Sequence, residues 1–141
     1  NLRIGVVLSP QGGALQKMLL PFKMGGGGIV GSGKQWWSWV CLDDLPRIIL
    51  HAMQTESLSG PVNATAPGTV DNREFTKTLG RVLKRPTLIP MPAFVVKLAF
   101  GEMGEELLLG STRTVPNRLQ ESGYEFAFPE LEPALRHLLG R

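Results

Sequence analysis

At 141 residues the chain is one domain's worth of protein, and 43% hydrophobic against 19% charged residues exclude a disordered polypeptide. No apolar run reaches the ~18 residues of a membrane span, and the mild net charge of +3, from scattered Lys and Arg, lacks the concentrated patch that nucleic-acid binding needs. One cysteine, Cys41, forbids an internal disulfide and fits a reducing compartment, cytoplasmic or organellar, while His51 and His137 stand too far apart for a metal site.

The chain enters directly on the apolar run Leu2–Leu8 with no charged stub or hydrophobic leader, so it reads as beginning inside a longer protein. β-Branched content and length make Leu2–Leu8 a strand buried on both faces of a parallel sheet, closed by Ser9-Pro10-Gln11-Gly12-Gly13. Ala14, Leu15, Met18, Leu19 and Phe22 then recur at helical spacing, with Pro21 expected to kink or shorten the helix. Gly25–Gly28 and Gly31-Ser32-Gly33 form the most flexible stretch. Lys34–Cys41 reads as a strand. Asp43 or Asp44 is placed to cap a helix whose apolar stripe is Leu45, Ile48, Ile49, Ala52 and Met53.

Pro61–Ala66 is a second strand, and Asp71-Asn72-Arg73-Glu74 has the form of a capping box opening a helix with Phe75, Leu79, Val82 and Leu83 on one face. Thr87–Pro90 reads as a short strand and Pro92–Phe100 as an apolar helix. Helical turns follow at Glu102–Leu109, Pro116–Ser122 and Pro129–Leu139. Strands alternating with helices give an α/β fold class.

The order of these parts resembles the C-terminal half of the extended short-chain dehydrogenase/reductases, in particular the epimerase family proteins. The match rests on Arg3–Leu8 (RIGVVL), Gly12–Leu15 (GGAL), Gly31–Trp36 (GSGKQW), Trp39–Leu45 (WVCLDDL), Asn63–Pro67 (NATAP) and the Pro116–Arg118 region, in family order over nearly the whole chain. The resemblance implies that residues 1–13 are the last strand of a Rossmann-type doubly wound sheet with its loop, and residues 14–141 a small substrate-binding lobe with C-terminal helices. It implies a parent protein that binds NADP or NAD and moves a hydride to or from a small carbonyl or hydroxyl substrate. In that family the Gly-rich cofactor turn and the Tyr-x-x-x-Lys pair lie upstream of the region matched here. Gly25–Gly28 follows a helix rather than a strand and is no substitute, and Tyr124, the only tyrosine, has Phe128 four residues on. The fragment alone is therefore expected to be non-catalytic, with the missing N-terminal half as its first partner. The alternative is a non-catalytic Rossmann-scaffold accessory or assembly subunit of a larger complex. Two departures from the family pattern are Cys41, where His is common, and Thr112, where Gln is common before the basic residue matched by Arg113.

Ser9, Gln11, Gly12 and Gly13 follow the C-terminal end of a parallel strand, where open α/β sheets place ligands, and in the related enzymes this loop approaches the nicotinamide. They are the cofactor-binding candidates. Lys34, Gln35, Trp36, Asn63 and Arg113 are the substrate-binding candidates: a mobile cation, an amide, a stacking ring, a strand-end amide and a guanidinium. Trp37 and Trp39 share the opposite strand face from Trp36 and are assigned to the core. For Asp43 and Asp44 helix capping outweighs an acid pair. Arg118 is a surface arginine, Cys41 a small buried residue, and both histidines structural.

Overall fold

The computed structural model describes residues 2–92, 94, 96–98, 101–102 and 109–141. The opening apolar run forms two short strands, β1 (Leu2–Ile4) and β2 (Val6–Leu8), on either side of Gly5. β1 pairs in parallel with β5 (Val62–Ala64), Arg3 opposite Asn63, and β2 pairs in parallel with β4 (Trp39–Cys41), Val7 opposite Val40. Gly5 is the crossing point. Its N–H donates to the Ala64 carbonyl at 3.3 Å, and the next N–H, of Val6, donates to Ser38 at 2.8 Å. A Cβ at Gly5 would stand 2.5 Å from the Ser38 oxygen, so no side chain fits between the partners.

The expected strand Lys34–Cys41 divides at Ser38 into β3 (Trp36–Trp37) and β4. Ser38 supplies the reason: its carbonyl serves Val6, while its hydroxyl donates to the Thr112 carbonyl at 2.9 Å and accepts from Thr114 N–H at 2.8 Å. β3 turns instead to an antiparallel partner, β6 (Val70–Asp71).

Helix α1 (Gly13–Lys23) runs through Pro21 and ends immediately after it, with Met24 N–H bonded to Leu20. Helix α2 spans Leu45–Gln54 and α3 spans Asn72–Leu83. The Asp71 side chain accepts from Glu74 N–H at 2.8 Å, as a capping box requires. Short helix α4 (Asn117–Glu121) and helix α5 (Leu131–Leu139) close the chain. Thr87–Pro90 is not a strand; a single bridge, Val30 to Met91, does that work. Residues 94, 96–98 and 101–102 are helical, and the rest of the helices expected over 92–109 lies largely outside the described residues.

Two clusters hold the fold. Leu8, Leu15, Phe22, Trp37, Trp39, Phe75, Leu79 and Leu135 belong to the larger, where the Trp37 and Phe75 rings sit 4.7 Å apart. Val40, Ile48, Val62, Ala64, Leu119 and Tyr124 form the smaller. Full burial of the opening run is not observed: Ile4, the last residue of the β1–β5 ladder, is 49% exposed. On α2 only Ile48 of the expected stripe is fully covered, with Ile49 and Met53 exposed.

The glycine run is packed rather than loose. Gly27 and Gly28 are buried, Gly26 N–H bonds to the Pro21 carbonyl at 2.8 Å, and a Cβ on Gly28 would lie 1.8 Å from the Ile89 oxygen. Backbone cannot yield as a flexible side chain does. Gly28→Ala is therefore expected to destabilise the chain by about 1–3 kcal/mol in a denaturant melt. Gly12→Ala, at an extended φ of −171° with nothing within 4 Å, shifts it by no more than about 0.5 kcal/mol.

Candidate functional site

A cleft of about 430 Å³ opens on the β1–β5 ladder. Its floor holds Arg3 and Asn63, which are register partners, together with Gly5 and Thr65. Trp36, Trp37 and Ser38 form one wall, and Gly110, Thr112 and Thr114 the other. The second wall is laced on by hydrogen bonds. Trp36 N–H donates to Ser111 Oγ at 3.0 Å, Thr112 N–H to the Trp36 carbonyl at 3.0 Å, and Thr69 Oγ1 to the Thr114 carbonyl at 2.9 Å. Asn63 Nδ2 reaches the Val115 carbonyl at 3.3 Å. The Arg113 guanidinium lies 4.3 Å from the Trp36 ring centre, a cation–π contact that presets its orientation, and its N–H groups have no hydrogen-bond partner among the described residues.

Among the described lining residues the only charged one is Arg3; the Arg113 guanidinium, not itself a lining group, stacks on the Trp36 ring. Two buried polar atoms on lining residues, Trp37 Nε1 and Thr65 Oγ1, have no hydrogen-bond partner among the described residues. The volume falls in the usual range for small-molecule sites.

Of the five substrate candidates, Trp36 and Asn63 line this cleft, and Arg113, not itself a lining residue, is joined to it only by its contact with the Trp36 ring. Lys34 and Gln35 do not line it. Lys34 is exposed, with its N–H bonded to Ser32 Oγ. Gln35 is buried: its Nε2 donates to the Val30 carbonyl at 2.9 Å and its carbonyl accepts from Asn72 N–H, so it joins the turn to the start of α3. Arg3, Thr65 and Thr114 are cleft residues that sequence reasoning missed, and Thr112, singled out there only as a departure from the family pattern, joins them. The alternation of Asn63 with Thr65 on one strand face was the available signal for Thr65.

The cofactor candidates Ser9, Gln11, Gly12 and Gly13 form a separate group at the C-terminal end of β2, outside the cleft lining. Ser9 Oγ accepts from Gln11 N–H at 3.2 Å and Ser9 bridges Gly12, closing a tight turn. Gly13 takes φ +71° as it opens α1, whose first turn carries no acidic side chain. The result is an uncapped helix N-terminus with a bare backbone approach.

Asp43 and Asp44 do something other than capping. Asp44 is the N-cap residue of α2, but its side chain makes no cap bond. It is fully buried and accepts from Tyr124 Oη at 2.7 Å and from Ala127 and Phe128 N–H, each at 3.0 Å. Asp43 pairs with His137 Nε2, and the His137 ring stacks on Phe128 at 4.5 Å. The acid pair thus ties residues 124–137 to the end of β4. Burial, then the Asp44 carboxylate, pushes the Tyr124 phenol well above its ordinary value, and burial raises the Cys41 thiol.

His51 Nε2 lies 2.8 Å from Ser122 Oγ, whose proton goes to the Leu119 carbonyl at 2.7 Å, so that serine is a helix-end lock and not an activated nucleophile. Arg118 donates to the Pro61 carbonyl at 3.0 Å. Among the described residues no three His, Cys, Asp or Glu side chains could hold a metal, and no helix is long and apolar enough to cross a membrane.

Comparison with known proteins places this geometry. A family model described as a domain of unknown function (DUF1731) matches residues 91–138. The human epimerase family protein SDR39U1 is 41% identical over 138 residues, covering 98% of this chain and 47% of its own length. A crystal structure of that human protein (isoform 2) with NADPH superposes with a TM-score of 0.89 at 40% identity, over 99% of this chain and 47% of that one. The nucleoside-diphosphate sugar epimerase from Corynebacterium glutamicum gives a TM-score of 0.73 at 34% identity, over 99% of this chain and 25% of that one. The chain spans about half the length of the curated relatives it matches.

The acid clamp has two measurable consequences. Tyr124 is the only tyrosine, so phenolate absorbance reports it alone: in the native protein it is expected to titrate above the unfolded value of about 10. A raised phenol means stability fully present below pH ~10 and lost as pH climbs beyond it, a loss absent in Tyr124→Phe. Asp44→Ala leaves three donors without their acceptor and is expected to cost on the order of 3 kcal/mol in chemical denaturation.

Proposed function

We propose that this chain, a homologue of the C-terminal half of the epimerase family proteins in the short-chain dehydrogenase/reductase superfamily, is the substrate side of an NAD(P)-dependent epimerase-like oxidoreductase. The observation that carries the reading is the half-clothed opening strand. A parallel strand with Ile4 half exposed at the cleft mouth, and a helix whose Ile49 and Met53 face solvent, have the character of elements awaiting more protein. The natural occupant is a cofactor-binding half that adds sheet and helices on that side.

In this reading the turn Ser9–Gly13 meets the nicotinamide end of the cofactor. Gly12 offers room for close approach, with no heavy atom within 4 Å of a Cβ there, and the α1 N-terminus brings positive partial charge. The cofactor, when bound, supplies hydride transfer, and the acid–base pair comes from the other half. This chain's residues bind and orient substrate: Trp36 stacks it, Arg113 and Arg3 attract its anionic or polar end, and Asn63 fixes the loop that carries Arg113. The choice of NADP as cofactor is favoured by the NADPH held in the human relative's structure. Lys34 reaches the ligand only from outside the cleft, and Gln35 supports the wall.

The purified 141-residue chain is expected to oxidise neither NADPH nor NADH with any carbonyl substrate; turnover by it alone would overturn the reading. Joined to a cofactor-binding half, Trp36→Ala and Arg113→Ala are each expected to raise KM about tenfold (~1.4 kcal/mol) with little change in kcat. Unaltered steady-state constants in both variants would remove the cleft from the substrate site.

A further inference from the structure

The cations are scattered along the sequence, but the acids are not. All twelve Asp and Glu residues fall within 43–74 and 102–132. Residues 1–42 carry Arg3, Lys17, Lys23 and Lys34 with no acid, and residues 75–101 carry Lys77, Arg81, Lys84, Arg85 and Lys97 with none.

The fold brings these two acid-free stretches together. Arg85 Nε donates to the Lys23 carbonyl at 2.8 Å, Met91 N–H to the Ile29 carbonyl at 2.8 Å, and Gly28 abuts the Ile89 carbonyl. Arg81 is drawn off to Glu132, but Lys23, Lys84 and Arg85 have no carboxylate partner among the described residues. Large aliphatic side chains point outward in the same segments: Leu20 is 66% exposed, Met24 77%, Leu88 82% and Ile89 69%. Leu20 and Met24 stand one helical turn apart, and Phe94 and Leu98, also one turn apart, are exposed with Lys97 adjacent in sequence.

We propose that this face docks peripherally on an anionic membrane surface, with Leu88 and Ile89 entering the boundary between headgroups and acyl chains while Lys23, Lys84 and Arg85 meet lipid phosphates. Aliphatic tips ringed by unopposed cations gain from both halves of that environment. A nucleic-acid backbone would use the cations and leave the tips idle. The inference is independent of the substrate cleft, which uses none of these residues.

The test is flotation of the full chain with vesicles of phosphatidylcholine, alone or mixed with phosphatidylserine. Binding is expected only in the presence of phosphatidylserine and weakens as salt rises. Lys23→Gln and Lys84→Gln should each lower partitioning about fivefold. Leu88→Ser with Ile89→Ser should abolish it while leaving the melting temperature unchanged, since both side chains are exposed. No flotation with phosphatidylserine, or flotation indifferent to these variants, overturns the proposal. So does a lipid-free oligomer that the Leu88→Ser, Ile89→Ser variant turns into a monomer, because protein then covers the face.

Discussion

The constraint on which the rest of the structure depends is the handover at Gly5. One extended segment serves two parallel partners, β5 before the glycine and β4 after it, because a bare backbone there lets Ser38 and Thr65 close to distances no Cβ could survive. Parallel ladders demand long crossover connections, and this single point fixes where those crossovers return. Residues 9–38 must come back to present β4 beside β2, and α2 must bridge β4 to β5. The cleft is the by-product: where the strand changes partner, β4 and β5 form no ladder with each other among the described residues, and Trp36 to Ser38 line the opening beside β1 and β5.

Much of this was legible in the sequence because the signals were local. The Asp71–Glu74 box states its own hydrogen bond, and the helical stripe from Phe75 to Leu83 needs no partner to be read. Trp37 and Trp39 alternate against Trp36 and fall in the core as alternation implies. The division of Lys34–Cys41 was not legible, because it follows from Ser38 engaging Thr112 and Thr114, seventy-odd residues away. The glycine run was misread for the same reason: composition reports conformational freedom, whereas Gly28 is glycine because the Ile89 backbone leaves no volume. The site divides in the same way. Trp36 and Arg113 could be nominated one at a time, but their stacking, and the company of Arg3 and Thr65, exist only through the tertiary register.

Asp43 and Asp44 illustrate how a correct local expectation loses to a distant one. An Asp at a helix start gains about 1 kcal/mol from capping, but a carboxylate shielded from water and given one hydroxyl and two backbone N–H donors gains more, since charge-assisted bonds are roughly twice as strong as neutral ones. Asp44 therefore points inward to Tyr124, Ala127 and Phe128, and the α2 N-terminus does without a side-chain cap. The trade joins two segments eighty residues apart, so the acid pair serves tertiary structure rather than proton transfer.

The same reasoning separates surfaces that are open by design from those open by omission. Ile49 and Met53 belong to a helix that buries Ile48 in the core, and they stand one turn apart on a face without charge, while Ile4 is exposed at the cleft beside Arg3. The proposed function covers them with further protein, and the curated relatives are about twice this length. Leu88 and Ile89 differ: they sit on an irregular stretch between cations, without strand or helix periodicity to match a partner element. A packed protein face selects shape, whereas a lipid surface selects only apolar tips and charge of one sign. By that criterion the α2 face has the character of a seam toward further protein, as the proposed function requires, and the segment carrying Leu88 and Ile89 that of an outer surface.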